Sequence, residues 1–296
     1  MDSGLNPHAP WATLAQACGQ VGLDPAGAAL VRLVNNAVFR LVRHPVIVRV
    51  TLTEGLAHRA TVAVAAGRLL AAHGIPAVKP LPGIPNPVHV DGRAVTFWEE
   101  VADTGSVPTA VQLGDLLTRL HQLPIADVRL PRWNPIADLR GRITDMQEWD
   151  RGDVEFLSRR CGELESALAA LDYPLPAGVI HGDAHLGNMI TTPAGPVLCD
   201  LDEACVGPRE WDLVPLAVSQ LRFGRAVDVH RQLAAAYGFD ITAWPGFSVL
   251  RELRELKLAA VGLPSAHMNP AIGFELRLRL RSLRAAHTTT QWTPYQ

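Results

Sequence analysis

The chain has 296 residues, of which 48% are hydrophobic and 19% are charged, and its formal net charge is -2. This length allows one large domain or two lobes that each bury a core, and the composition is that of an ordinary globular protein. A scaffolding or fibrous role is therefore not expected. The charge balance requires neither nucleic acid nor an anionic membrane as a partner.

The N-terminal segment does not resemble a secretory signal, and the cysteines form no recognisable motif. The segment Met1 to Trp11 has no basic stretch followed by an apolar core, and no later apolar run is long enough to span a membrane. The four cysteines are scattered and form no C-x-x-C pair, which favours neither a disulfide framework nor a zinc knuckle. We therefore expect a cytoplasmic location.

The first elements that the pattern predicts are a strand and then a helix. Val46 to Val50 is short and β-branched, which indicates a strand, and Arg49 is its one charged residue. Thr61 to His73 has apolar residues at helical spacing, and Gly74 and Pro76 end that helix.

A proline-rich connection and a second strand come next. Pro80 to Pro87 contains four prolines and a glycine, which excludes regular structure. Ala94 to Val101 is again apolar and predicts a strand that runs into a hinge near Trp98 to Val101. We place a lobe boundary after Val101.

Beyond the hinge, leucines recur at helical spacing from Leu113 to Leu120 and from Leu157 to Leu171, so the second half is predicted to be mainly helical. Near the end, Leu276, Leu278 and Leu280 alternate with arginines. This period of two by itself favours a strand exposed on one side, and the pattern leaves the type of this element open.

The chemistry is expected between His181 and Asp200. Asp183 and Asn188 lie in one loop between two apolar pieces, and Asp200 follows twelve residues after Asn188. Phosphoryl transfer needs a carboxylate to receive the proton of the acceptor hydroxyl and oxygen ligands to hold Mg²⁺. The spacing D-x-x-x-x-N places such a base and such a ligand in the same tight loop. It is the plan of the kinase catalytic loop, with Gly182 where protein kinases have Arg.

These motifs resemble the aminoglycoside phosphotransferase and choline kinase superfamily. The resemblance rests on His181-Gly182-Asp183 through Asn188, then Asp200, then Trp211-Asp212-Leu213, in that order. Weaker likenesses are Asn35 to Arg40, similar to the family's nucleotide-positioning turn, and Val48-Arg49-Val50, similar to its phosphate-gripping strand.

The resemblance implies an α+β, protein-kinase-like bilobal fold. Residues 1–101 would form a small β-rich nucleotide-binding lobe that ends in the hinge, and residues 102–296 a larger, mainly helical lobe with the catalytic loop and the substrate site. ATP, with GTP as an alternative, would bind between the lobes with adenine against the hinge backbone. The activity would be a small-molecule kinase, which transfers the γ-phosphate to a hydroxyl.

The resemblance also implies a role for each matching residue. Asp183 would be the catalytic base, while Asn188 and Asp200 would bind Mg²⁺. The nucleotide would be contacted by Arg49, Asn36, Phe39, Glu99, Glu100 and Val101. His181 and Asp212 would support the site without touching substrate, Asp212 by accepting backbone N–H bonds from the catalytic loop.

Two departures from the family concern Arg49. The family usually has Lys there, and Arg grips phosphate as a planar fork rather than a point charge. No Asp or Glu occurs between Glu54 and Asp91, so the helix cannot supply the Glu that normally pairs with this cation. We therefore expect Arg49 to be open to water or paired with Asp200, with Glu54 as a weaker candidate partner.

Two other functions remain open from the residues. His181, Asp183, His185, Asp200 and Asp202 could form the ligand set of a metal-dependent hydrolase. The missing helix Glu would also fit a catalytically degenerate kinase homologue that only binds nucleotide. Three further acids, Asp202, Glu203 and Glu210, are interpreted as surface or loop charges, although one of them could contact substrate.

The acceptor is expected to be a small molecule, because the chain lacks room for the activation segment and peptide-docking lobe of protein kinases. Between Gly207 and Gln296 there are eleven Arg and Lys against seven Asp and Glu, an excess of four positive charges. This excess disfavours a polycationic aminoglycoside, which would require an acidic pocket. A sugar, an amino alcohol or another antibiotic remains open.

Overall fold

The computed structural model describes residues 9–33, 36–53, 55, 57–126, 128–144, 150–224, 227–263, 266 and 269–295. Asn35 and Glu54, which the sequence analysis named, lie outside these residues. Among the helices that the model describes, none is both long enough and apolar enough to cross a membrane.

The elements follow one another along the chain as a sheet-rich part and then a helix-rich part. The N-terminal elements are α1 (Ala9–Val21), β1 (Ala29–Leu33), β2 (Asn36–Arg40), β3 (Val46–Thr51), α2 (Ala57–Ala72), β4 (Val88–Val90) and β5 (Arg93–Glu99). The remaining elements are α3 (Ala110–His121), α4 (Pro135–Thr144), α5 (Arg151–Ala169), β6 (Gly178–Ile180), β7 (Met189–Thr192), β8 (Gly195–Leu198), β9 (Cys205–Gly207), α6 (Glu210–Phe223), α7 (Val227–Tyr237), α8 (Phe247–Ala260) and α9 (Pro270–Arg284).

The chain divides into two compact units. The first comprises Met1–Pro108, Gln122–Pro131 and His181–Val206, and the second comprises Thr109–His121, Arg132–Ile180 and Gly207–Gln296. The antiparallel sheet lies in the first unit and most helices lie in the second, which confirms the predicted α+β class. Segment 181–206, expected in the C-terminal lobe, groups with the N-terminal sheet by its contacts. The lobe boundary after Val101 stays a prediction.

The sheet of the first unit has the strand order β1-β2-β3-β5-β4, and every neighbouring pair is antiparallel. Side chains alternate across β3, so Val48 and Val50 enter the core that α1 covers. Arg49 therefore lies on the opposite face, between Val38 of β2 and Thr96 of β5. The predicted strand is confirmed within one residue.

Helix α2 contacts β5 in the first unit. A Cβ atom on Gly67 would lie 2.8 Å from Pro80 and 3.0 Å from the Trp98 ring, so only glycine allows this close approach. The helix begins at Ala57, four residues before the predicted start. The proline-rich connection is tied to β5 by Asn86, whose side chain accepts from the N–H and donates to the carbonyl of Phe97.

The hairpin β7-β8 follows the predicted catalytic loop. Leu198 of β8 donates its N–H to Pro76 O at 3.0 Å and accepts from Val78 N at 2.9 Å. These bonds join the hairpin to the segment that follows α2. They explain why the predicted catalytic loop and the sheet belong to one compact unit.

Helices of the second unit bury their apolar stripes against each other, in agreement with the predicted leucine pattern. The buried side chains include Leu113, Leu117, Leu120, Leu157, Leu164, Trp211, Leu233, Leu250 and Leu253. Burial of apolar surface stabilises a fold by about 25 cal/mol for each Å² removed from water. The buried stripes therefore contribute to the stability of the second unit.

The leucine and arginine alternation near the end is helical, which corrects the period-of-two interpretation. Asn269 caps α9 by accepting from Ala271 N at 3.0 Å. The buried stripe consists of Leu276, Arg279 and Leu280, at helical rather than alternating spacing. Arg279 pairs with Glu275 and lies 3.8 Å from the centroid of the Tyr295 ring, so an arginine that the sequence places on the polar side is buried.

Candidate active site

Asp183 and Asn188 contact each other within the predicted catalytic loop. The side-chain amide of Asn188 donates to the backbone carbonyl of Asp183 at 2.9 Å and to its carboxylate Oδ2 at 3.3 Å. Since the NH₂ group is used in this way, the amide oxygen of Asn188 remains as an acceptor. His185 Nε2 lies 3.5 Å from the same Asp183 oxygen. The loop thus presents a carboxylate and an amide oxygen together.

His181 connects the loop to the residue before Asp200. Its Nε2 donates to Cys199 O at 2.9 Å, and its Nδ1 accepts from Asp183 N at 3.4 Å. Cys199 N in turn donates to Asn188 O at 2.9 Å. A carbonyl only accepts, so Nε2 carries the ring proton. His181 therefore orients the loop through both ring nitrogens, and its supporting role in a reaction stays a prediction.

Gly182 is required by close packing as well as by backbone conformation. Its φ is +85°, and a Cβ at this position would lie 2.2 Å from the backbone oxygen of Glu203. Any side chain would displace the 3₁₀ turn Leu201–Glu203. The residue that occupies the position of the protein-kinase Arg thus brings the catalytic loop into contact with this turn.

Asp200 begins the 3₁₀ turn in a left-handed conformation, with φ 60° and ψ 56°. Aspartate is among the few residues that adopt this region readily. Two residues later comes Asp202. Both carboxylates approach Arg49: Nη2 of the guanidinium lies 2.9 Å from Asp200 Oδ1 and 2.9 Å from Asp202 Oδ2. The predicted pairing of Arg49 with Asp200 is confirmed, and the second partner, Asp202, was not predicted.

Asn36 of β2 completes this charged group. Its side-chain amide donates to Asp202 Oδ2 at 3.3 Å, the oxygen that also accepts from Arg49. Burial alone would lower the pKa of Arg49, but the carboxylates of Asp202 and Asp200 outweigh burial and raise that pKa. Burial raises the pKa of Asp202 despite the attraction of Arg49. Asp202 is thus a partly buried partner of Arg49 rather than the surface charge that the sequence suggested.

Helix α2 contributes a cation, Arg59, and no carboxylate to this part of the first unit. It contains no Asp or Glu, as the sequence indicated. Arg59 Nη1 lies 3.3 Å from Glu203 Oε1, and both side chains are largely shielded from solvent. An ion pair therefore joins α2 to the 3₁₀ turn, and the helix supplies the cation of that pair.

Two backbone N–H groups of the predicted hinge already donate hydrogen bonds within the protein. Glu99 N donates to Lys79 O at 2.9 Å, and Glu100 N donates to Pro45 O at 2.8 Å. Phe39, in contrast, is fully buried in the core beneath the sheet, and its ring meets the Trp11 ring edge-to-face. The predicted contact of Phe39 with a nucleotide stays a prediction.

Asp212 lies in the second unit at the first turn of α6 and is fully buried. Its Oδ2 accepts from His121 Nε2 at 3.1 Å, and His121 Nδ1 lies 2.7 Å from the Tyr237 hydroxyl. The sequence analysis missed this network, for which the only local signal is a histidine at the end of a leucine-rich helix. The predicted bonds from Asp212 to the catalytic loop stay a prediction.

Glu210 is also buried, which corrects its interpretation as a surface charge. Its Oε1 accepts from Leu175 N at 2.7 Å, and burial raises its pKa. It lies in the second unit, whereas Arg49, Asp183, Asn188 and Asp200 lie in the first.

The donor set fits Mg²⁺ better than a transition metal. The available atoms are the Asn188 amide oxygen and the Asp200 carboxylate, and hard cations prefer such oxygen ligands. His181 uses both ring nitrogens within the protein, so it is not a free ligand. Among the residues that the model describes, no group of three or more His, Cys, Asp or Glu could hold a metal. The hydrolase alternative therefore loses His181 as a ligand and keeps only His185 as its histidine candidate.

Residues 31–253 match the family model described as the phosphotransferase enzyme family. The match covers more than half of the chain, so the chain belongs to this family, and the recognition made from the motifs is confirmed. No curated protein matches the chain.

Solved structures share the fold at low sequence identity. The amicoumacin kinase hAmiN in complex with AMP-PNP, Ca²⁺ and Ami gives a TM-score of 0.70 at 14% identity, with 96% of this chain and 95% of that chain covered. Choline kinase LicA from Streptococcus pneumoniae gives 0.67 at 13%, with 95% and 100% covered. The GDP and kanamycin complex of APH(2")-IIia gives 0.64 at 13%, with 95% and 99% covered. The predicted protein-kinase-like fold is confirmed.

Proposed function

We propose that this member of the phosphotransferase enzyme family transfers the γ-phosphate of ATP to a hydroxyl group of a small molecule. The observation that carries the proposal is that the pair Asp183 and Asn188 is connected by hydrogen bonds to the pair Asp200 and Arg49. Asp183 and Asn188 contact each other in one loop, and Cys199 bonds that loop immediately before Asp200, which contacts Arg49.

Asp183 acts as the general base. In the reaction, the acceptor oxygen forms a bond to the γ-phosphorus while the bond between that phosphorus and the β,γ-bridging oxygen breaks, and ADP leaves. The proton of the acceptor hydroxyl passes to the Asp183 carboxylate. Asn188 orients that carboxylate through the bond to Oδ2. His181 accepts from the backbone N–H of Asp183 and donates to the carbonyl of Cys199, so it joins the loop to the residue before Asp200. Positioning of this kind supplies much of the catalysis in phosphoryl transfer.

Arg49 binds the phosphates, and Asn188 with Asp200 would hold Mg²⁺ through oxygen atoms. When bound, Mg²⁺ neutralises the charge that develops on the β- and γ-phosphates. Adenine contacts the hinge backbone. Because the N–H groups of Glu99 and Glu100 already donate within the protein, the N–H of Val101 is the hinge donor that we assign to the base.

The acceptor class follows from the relatives and from charge. The structures above include an antibiotic kinase and a choline kinase, so antibiotics, amino alcohols and sugars are the first compounds to test. The buried pairs Arg222–Glu255 and Arg279–Glu275 leave the positive excess of the C-terminal third unchanged, because each pair removes one charge of either sign. A kanamycin complex nevertheless shares the fold, and an excess summed over the whole segment does not describe one pocket. We therefore keep aminoglycosides among the candidates.

The test is a screen of such hydroxyl compounds for consumption of ATP, and in parallel GTP, with Mg²⁺ and the wild-type chain. We expect acceptor-dependent ADP formation. Asp183→Asn should lower turnover by a factor on the order of 10² to 10⁴, the usual contribution of a general base, with nucleotide affinity nearly unchanged. Equal turnover in this variant would remove Asp183 from the mechanism. Nucleotide binding without turnover of any acceptor would favour the degenerate homologue.

A further inference from the structure

Arg49 needs a carboxylate to fix its position, and helix α2 does not supply one. Helix α2 offers no acid to Arg49, and its own Arg59 is directed at Glu203. The two acids that contact Arg49 instead come from one turn, Asp200 at its start and Asp202 in its middle. Under the proposed function Asp200 is needed by the metal. A carboxylate that shares its charge with a metal holds the guanidinium less strongly, so Asp200 alone would fix Arg49 poorly.

We propose that Asp202 is the positioning residue for Arg49, in place of the missing helix carboxylate. It holds Nη2 of Arg49 while Asp200 serves the metal and the remaining donors of the guanidinium contact the nucleotide phosphates. This inference rests on the proposed function and adds to it the residue that fixes the phosphate-binding cation.

The two carboxylates differ in burial and in support. The side chain of Asp202 is 17% exposed and that of Asp200 is 36% exposed. Asp202 is also held by the amide of Asn36. Asn36 and Arg49 lie on the same face of neighbouring strands, because Arg49 pairs with Val38, two residues along β2 from Asn36. Asp202 is therefore anchored to the sheet, whereas Asp200 has the freedom to change partner.

The geometry of Arg49 leaves its other nitrogens for the phosphates. Both of its hydrogen bonds to the described residues come from Nη2, which has two N–H groups. Nε and Nη1 provide three more N–H donors, and a planar guanidinium binds phosphate through such pairs of parallel donors. A carboxylate fixed on Nη2 thus sets the plane of the guanidinium without occupying its remaining donors.

The turn that carries Asp202 is itself held on two sides. The backbone of Glu203 packs against Gly182 of the catalytic loop, where no side chain would fit, and the Glu203 carboxylate pairs with Arg59 of α2. A carboxylate on this turn has a defined position before nucleotide arrives. The helix therefore stabilises the turn, and the turn positions the cation.

The experiment is a double-mutant cycle with Asp202→Asn, Arg49→Ala and the double variant. Two quantities are measured: the affinity for Mg²⁺-AMP-PNP by calorimetry, and kcat/KM for ATP with an accepted hydroxyl compound. Asp202→Asn should lower kcat/KM about tenfold in the wild-type background, equivalent to about 1.4 kcal/mol. In the Arg49→Ala background it should change kcat/KM less than about twofold, since its effect passes through Arg49.

Asp24→Asn is the matched control, because it also removes a carboxylate charge from the first unit, and Asp24 pairs with the exposed Arg43 rather than with Arg49. Its effect should be the same in both backgrounds. If Asp202→Asn does not fold, Asp202→Ser is put through the same cycle. Losses for Asp202 that add to those of Arg49, or no loss at all, overturn the inference while the proposed function stands. A wild-type chain that binds neither ATP nor GTP overturns both.

Discussion

Arg49 of the first unit and Arg222 of the second are both shielded from solvent and both paired with carboxylates, but their hydrogen bonding differs. Arg222 donates from Nε and Nη2 to the Glu255 carboxylate at 2.8 Å each, and from Nη1 to the carbonyls of His287 and Thr290. Its guanidinium also lies 4.4 Å from the centroid of the Trp292 ring. Every nitrogen of Arg222 is used.

Arg49 uses one nitrogen for two carboxylates, among the residues that the model describes. Its side chain is 16% exposed, against 2% for Arg222. An arginine whose donors are all satisfied within the protein stabilises the fold. An arginine with donors left over, facing an excess of negative charge, is suited to bind a ligand such as phosphate together with a cation.

The largest effect on stability is expected for Arg222, which distinguishes it from Arg49. Arg222→Ala should lower the free energy of unfolding by about 3 kcal/mol, because it leaves Glu255 and two carbonyls short of donors in the interior. The loss falls at the lower end of the usual range, since Arg251 still donates to Glu255 Oε1 at 2.7 Å. Urea unfolding measures it, with the exposed Arg281→Ala as control. A loss below about 1 kcal/mol would contradict the structural role of Arg222.

Asp200→Ala should affect function rather than stability. Loss of a carboxylate that would hold Mg²⁺ leaves the negative charge of the β- and γ-phosphates uncompensated, which should lower turnover by a factor on the order of 10² and weaken the binding of Mg²⁺-ATP. Turnover and nucleotide affinity are measured over a range of Mg²⁺ concentrations. Asp115→Ala, which removes an exposed acid from α3, is the control. Wild-type nucleotide affinity in Asp200→Ala would remove Asp200 from the metal site.

Arg49→Ala should weaken nucleotide binding by a factor on the order of 10 to 100, the value of one or two charge-assisted hydrogen bonds. Arg49→Lys should restore only part of the affinity, since lysine keeps the charge but loses the planar fork. The exposed Arg43→Ala serves as control, and calorimetry gives the affinities. If Arg49→Ala binds nucleotide as the wild type does, Arg49 is a structural cation like Arg222 and the comparison fails.

The smallest effect concerns Glu210, a buried carboxylate with Oε2 unpartnered among the described residues. Burial raises its pKa above the ordinary 4.5, so the folded state binds more protons than the unfolded state above that pH. The free energy of unfolding of the wild type therefore falls relative to that of Glu210→Gln as the pH rises above 4.5. We expect the variant to be about 1 kcal/mol more stable at about pH 7.5 and equal at about pH 4, by urea unfolding. A difference independent of pH would contradict the raised pKa.

The sequence predicted those parts of the fold and site that depend on neighbours along the chain. The strand around Arg49, the helix that follows it and the strand that ends at the hinge were placed to within a few residues. Asp183 and Asn188 contact each other because five residues of a loop cannot separate them far. The same local logic was wrong for α9, since the leucine alternation does not show that Arg279 is buried against Tyr295.

By itself, the sequence determined the family, the contact between Asp183 and Asn188, and the fact that α2 has no carboxylate for Arg49. Only the tertiary structure decided what replaces it, because Asp200 and Asp202 lie 151 and 153 positions from Arg49 in the chain. Tertiary packing likewise buried Phe39 and Glu210, whose residue types fit a binding turn or a surface as well as a core. Spacing fixes contacts within a turn, whereas contacts between distant segments depend on the free energy of packing the whole unit.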